Sequence, residues 1–127
     1  MNGRYRSGAG ARRVLIIEDN ADAAESLCAL LRLCGHAAEV ALTGADGIEL
    51  ARTFLPDVVL CDLGMPEMDG LRVAEALRED PRLRGVRLIA LTGYGRPEDV
   101  ARAVRAGFDS HITKPADPEQ ILRVIQA

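Results

Sequence analysis

Short apolar runs alternate with longer stretches whose apolar residues recur at helical spacing, and the alternation repeats five times along the chain. The apolar runs are Val14 to Ile17, Ala37 to Leu42, Val58 to Cys61, Val86 to Leu91 and Ser110 to Thr113. Each has the length of a strand. Between them, Ala24, Leu27, Leu31 and Cys34 mark a first helix that Gly35 stops. Thr43 to Thr53 forms a shorter second helix, with Ile48 and Ala51 or Arg52 at helical offsets and Pro56 beyond its end. Leu71, Ala74 and Leu77 stripe a third helix over Gly70 to Asp80. Arg96 to Ala106 is a fourth, with Pro97 near its start, Val100 and Val104 on one face and Gly107 after its end. Ile121, Leu122 and Ile125 form the inward face of a fifth, opened by the capping residue Asp117 and Pro118.

Strands that alternate with helices pair in parallel, through right-handed crossovers that lay helices over both faces of one sheet. The predicted architecture is therefore a doubly wound α/β domain with a five-stranded parallel sheet. The first, third and fourth runs are almost wholly apolar and suit central positions. The second and fifth carry more polar residues and suit the edges.

Composition sets the outer bounds. A chain of 127 residues, 48% hydrophobic and 28% charged, holds one domain with its own core. Residues 1–11, rich in Gly, Arg and Ser, have little to bury and are expected to form a flexible arm, leaving 12–127 as the domain. No apolar run approaches the roughly 20 residues needed to cross a bilayer, and the Gly- and Arg-bearing start lacks the apolar centre of a signal peptide. The default location is the cytoplasm, with no membrane partner. Net charge of -3 argues against direct nucleic-acid binding; Arg4, Arg6, Arg12 and Arg13 form a local basic segment best taken as a solvated arm. Cys28, Cys34 and Cys61 have no zinc-ligand spacing and are expected to be reduced core thiols.

In a doubly wound sheet the ligand site lies beyond the carboxyl ends of the strands. There the sequence gathers Glu18 and Asp19 after the first strand, Asp62 after the third, Thr92 after the fourth and Lys114 after the fifth. Taken singly, each has a plain structural role as a cap, a strand-end hydroxyl or an exposed charge. Together, three carboxylates call for a cation among them, and an oxygen-only set selects a hard one. Magnesium fits best, with manganese as a substitute. A carboxylate, a metal, a hydroxyl and an ammonium around one cavity can carry out phosphoryl transfer, with Asp62 as nucleophile and Lys114 and Thr92 stabilising the phosphoryl oxygens.

These residues and their surroundings resemble the receiver domain of two-component response regulators over roughly Arg13 to Gln126. The matching segments are the acidic pair Glu18-Asp19, CDLGMPEMDG around Asp62, ALTGYG around Thr92 and HITKP around Lys114, in order and at the family's intervals. The resemblance implies a flavodoxin-like fold with strand order 2-1-3-4-5, and a phosphoryl group received on Asp62 from a phosphohistidine of a sensor kinase or histidine phosphotransfer protein. It implies magnesium bound by Asp19, Asp62 and the Gly64 carbonyl, with Glu18 acting through water. It also implies a cis Lys114-Pro115 bond, a switch pair of Thr92 and His111, and a surface change that controls a downstream effector rather than turnover of an external substrate. Three departures stand out: Glu18 in place of the more frequent Asp, His111 where Tyr or Phe is commoner, and Gly64 without a side chain above Asp62. The TGYG and AGFD segments resemble receivers attached to hybrid sensor kinases, so both a free-standing receiver and one excised from a larger protein fit the sequence.

Three other readings fare less well. An Asp-nucleophile phosphohydrolase of the haloacid-dehalogenase type needs a second acid at Gly64. An inactive scaffold would have lost a key residue. A dinucleotide-binding module needs a glycine-rich turn where this chain has Glu18-Asp19-Asn20.

Overall fold

The computed structural model describes residues 10–65, 70–93 and 96–127. Nearly all of the expected N-terminal arm lies outside the described residues, as do Pro66, Tyr94 and Gly95. Ten elements alternate along the chain: β1 (Arg13–Ile17), α1 (Ala21–Leu33), β2 (Ala37–Ala41), α2 (Gly44–Phe54), β3 (Val58–Asp62), α3 (Gly70–Glu79), β4 (Arg87–Thr92), α4 (Pro97–Ala106), β5 (Ser110–Thr113) and α5 (Pro118–Gln126). The strands form one parallel sheet of order β2-β1-β3-β4-β5, the order the resemblance implied, with the two more polar runs at its edges.

Strand side chains alternate between the faces and feed two separate cores. Val14, Ile16, Val58, Leu60, Ile89, Leu91 and Ile112 pack with α1 and α5, through Ala24, Cys28, Leu31, Ile121 and Ile125. Leu15, Ile17, Val59, Cys61, Leu88 and Ala90 pack with α2, α3 and α4, through Ala51, Val73, Ala74, Leu77 and Ala103. β3 is buried at all five positions, as a strand covered on both faces must be.

Short polar side chains start the helices. Asn20, Thr43 and Asp117 accept the N–H groups of Ala23, Asp46 and Glu119, each replacing a bond that the first helical turn cannot make internally. Thr43 is thus the cap of α2 and not its first residue. After α4, Gly107 turns back with φ 119, a conformation an L side chain resists.

The packing of α4 departs from the sequence pattern. Val104 is 60% exposed, and the helix rests on Ala103 instead, with Ala106 packed against the same core. Small residues let α4 lie close to its neighbours, and the valine stripe turns partly toward solvent. The cysteines are all free; Cys28 and Cys61 are buried as expected, whereas Cys34, at the C-terminal cap of α1, is only partly covered.

Candidate functional site

Parallel pairing brings the carboxyl ends of β1, β3, β4 and β5 to one edge of the sheet, and the chemistry-bearing residues arrive with them. The Glu18 N–H bonds the Ala41 carbonyl at 3.1 Å, extending the ladder past β1 and turning the Glu18 side chain inward, where it is 6% exposed. Asp62 closes β3 and is equally covered. The Lys114 N–H donates to the Thr92 carbonyl at 2.7 Å, fixing the turn after β5 beside the end of β4. The Lys114-Pro115 peptide is cis, as the resemblance implied.

Lys114 joins two of the acids. Its Nζ lies 3.0 Å from Glu18 Oε1 and 3.1 Å from Asp62 Oδ2. Each carboxylate has a backbone donor as well: the Asn20 N–H to Glu18 Oε2 at 3.1 Å, and the Gly64 N–H to Asp62 Oδ1 at 2.9 Å. Burial raises Glu18 above the ordinary carboxylate range, and the nearby Asp62 charge adds to that, against the opposing pull of the Asn20 N–H and Lys114. Burial also acts to lower Lys114, but its hydrogen bonds to Glu18 and Asp62 outweigh it and the ammonium is held above its usual value. Cation and anions thus stabilise one another within the site.

Carboxylate oxygens of Glu18, Asp19 and Asp62 all lie within 4.8 Å of one another. Such a cluster offers only hard oxygen donors, and its excess negative charge already attracts one cation in Lys114. The residues present fit a divalent ion of the magnesium type. Asp19 is exposed, so it reaches this cluster from the solvent side.

Thr92 is 3% exposed, and among the described residues its Oγ1 has no hydrogen-bond partner. A buried hydroxyl without a partner carries a desolvation cost of about 1–3 kcal/mol. It becomes favourable once an acceptor enters. Thr92 lines a cavity of about 390 Å³ with Asp62, Gly64 and Lys114. Among the described residues, a Cβ on Gly64 would meet only Asp62 Oδ1, at 3.4 Å. A larger, mostly apolar groove of about 610 Å³ between α1 and α5 shares Glu18 and Lys114, but Asp62 and Thr92 do not line it.

Every candidate from the strand ends therefore falls in one place, except His111. That residue is exposed on β5, opposite Ala90 in register, and is not among the cavity's lining residues. Two residues that the sequence pattern did not single out do line it: Asp99 and Arg102, from α4. Their separation of three on the helix that follows Thr92 was the available signal.

A parallel 2-1-3-4-5 sheet with acids, a hydroxyl and a lysine at its carboxyl edge defines a CheY-like receiver domain. The family model of the response regulator receiver domain matches residues 14–126, and the chain belongs to that family. It is 35% identical to the protein PilH of Pseudomonas aeruginosa over 115 residues, 91% of this chain and 95% of PilH. Among solved structures, the chemotaxis protein CheY4 of Vibrio cholerae superposes with a TM-score of 0.86 at 25% identity, over 90% of this chain and 95% of that one. The receiver domain of a sensor histidine kinase from P. aeruginosa superposes with a TM-score of 0.82 at 26% identity, covering 91% of this chain and 95% of its own. In that structure a magnesium ion is coordinated in the active-site cleft.

Proposed function

We propose that Asp62 is the phosphoacceptor of this receiver, taking a phosphoryl group from a phosphohistidine on a histidine kinase or phosphotransfer protein. The observation that carries the proposal is the pairing of Lys114 with Asp62 at 3.1 Å beside a buried Thr92 hydroxyl that has no partner among the described residues. In the transfer, an Asp62 carboxylate oxygen forms a bond to phosphorus as the P–N bond to imidazole breaks. Lys114 neutralises charge on the phosphoryl oxygens, and the Thr92 Oγ1 donates to one of them. Glu18, Asp19, Asp62 and the Gly64 carbonyl would hold magnesium, which when bound supplies positive charge against the entering group. Glu18 is committed to Lys114 and the Asn20 N–H, which suits an indirect role toward the metal.

The signal leaves, on this proposal, through the face of α4, β5 and α5. Thr92 is drawn toward the phosphoryl group, and His111, exposed beforehand, turns toward the space it leaves. The effector is a protein contacted by that face or a module attached to residues 12–127, with residues 1–11 serving as an arm. Chemistry is confined to loading and unloading of Asp62; Gly64 leaves no second acid for an Asp-nucleophile phosphohydrolase. No helix among the described residues is long and apolar enough to cross a membrane, and we place the domain in the cytoplasm.

Incubation with a small phosphodonor and magnesium, followed by intact-mass measurement, tests the acceptor. The parent should gain one phosphoryl group, while Asp62→Asn or EDTA should abolish the gain. Equal uptake by the Asn variant refutes the assignment.

A further inference from the structure

The cavity above Asp62 has a charged wall on its α4 side that the acceptor chemistry leaves unused. Asp99 and Arg102 line the same cavity as Asp62, Thr92 and Lys114. Arg102 Nη2 donates to Asp99 Oδ1 at 3.0 Å, a pair three residues apart on one helix. The Asp99 side chain is 26% exposed and Arg102 59%, so Asp99 turns inward while the guanidinium stays partly hydrated.

A carboxylate facing a phosphoryl pocket would repel the incoming group unless a cation stood beside it. Arg102 meets that need before the group arrives. An exposed pair at this spacing is weak and easily exchanged. A phosphoryl group offers three acceptor oxygens and nearly twice the charge, in a geometry that suits the planar fork of arginine. Among the described residues, Gly64 and Gly93 line the same cavity without side chains, and a Cβ on Gly93 would meet nothing within 4 Å.

We propose that Arg102 is a second cationic contact for the phosphoryl group on Asp62, held ready by Asp99 and passed to the group when it arrives. The proposal rests on Asp62 being the acceptor. Among the described residues lining the cavity, Arg102 and Lys114 are the cations, one from α4 and one from the turn after β5. The phosphoryl group would then bridge the two elements directly, in addition to any movement of Thr92.

Beryllofluoride with magnesium, titrated against backbone amide shifts of the full chain at low ionic strength, reads the contact. Arg102→Ala should weaken beryllofluoride binding roughly 3- to 10-fold, as loss of one charge-assisted contact implies. Arg102→Lys should retain about half of that effect in logarithmic terms, because the charge stays and the fork is lost. Asp99→Asn should tighten binding about 2- to 3-fold by freeing the guanidinium. The deficit of Arg102→Ala should shrink between about 50 mM and 500 mM salt, as a partly exposed charge contact is screened. An Arg102→Ala variant that binds as tightly as the parent, or an Asp99→Asn variant that binds more weakly, overturns the proposal. Intact-mass phosphorylation of the parent and Asp62→Asn separates the failures. A parent that takes no phosphate sinks both proposals; a parent that does, with an indifferent Arg102→Ala, sinks this one alone.

Discussion

His36 gives a prediction at the pole of the sheet opposite the site. It is 5% exposed in the turn before β2, and its Nδ1 accepts the Arg12 backbone N–H at 3.0 Å. An accepting Nδ1 places the proton of the neutral ring on Nε2. Protonation would set a second N–H against that of Arg12. Burial lowers the imidazole below its ordinary value of 6.5, and the Arg12 guanidinium lowers it further. The folded chain therefore resists a proton that the unfolded chain accepts. Stability from this group is fully present above pH 6.5 and is lost as pH falls through the depressed folded value. Each pH unit inside that window costs about 1.4 kcal/mol. His36→Asn keeps an acceptor near Nδ1 and cannot titrate, at the cost of a smaller side chain, about 1–2 kcal/mol at pH 8. Urea unfolding of both proteins between pH 8 and pH 5 cancels the carboxylates they share. The parent's advantage should narrow on acidification and can reverse. An advantage that stays constant across that range refutes the neutral, buried assignment of His36.

Three further outcomes follow from the packing and the site. A Cβ on Gly47 would lie 2.4 Å from Ile17 Cδ1, so Gly47→Ala should lower stability by about 1–3 kcal/mol despite alanine's better helix propensity; a raised urea midpoint would show that α2 can shift away from β1. Arg78 donates to the carbonyls of Gly107, Arg84 and Val86 and pairs with Asp109 at 3.0 Å, so Arg78→Leu should cost about 2–4 kcal/mol, and a loss below about 1 kcal/mol would mean water replaces it freely. Asp62→Ala removes one of three crowded carboxylates while Lys114 keeps Glu18, so thermal melting without divalent ions should show equal or raised stability. A clear loss there would make Asp62 a structural partner of Lys114.

The strand pattern was legible because burial on two faces leaves almost no polar residue in β1, β3 and β4, and the edge strands betrayed themselves by Glu39 and by Ser110 with His111. The site was legible for a related reason: a parallel sheet sends every strand's end to the same side, so residues at four ends become neighbours without knowledge of side-chain geometry. What stayed hidden depended on contacts between distant positions. Glu18 reads as a loop acid, yet it is buried and paired with a lysine 96 residues away. Val104 has the helical spacing of a core residue, but two alanines already fill the contact. Arg78 and His36 look like ordinary surface residues, and only the fold shows the carbonyls and the N–H group that they satisfy.

Among the described residues the two cores share no member, since a sheet of backbone lies between them. Neighbouring residues of one strand belong to different cores: Val14 and Ile16 pack with α1 and α5, Leu15 and Ile17 with α2 and α3. Substitutions on opposite sides should therefore combine additively, whereas those on one side should couple. Such a domain can change by halves. The layer of α1 and α5, with its apolar groove beside Lys114, can drift toward a new contact without disturbing the fit of α4 on its own side.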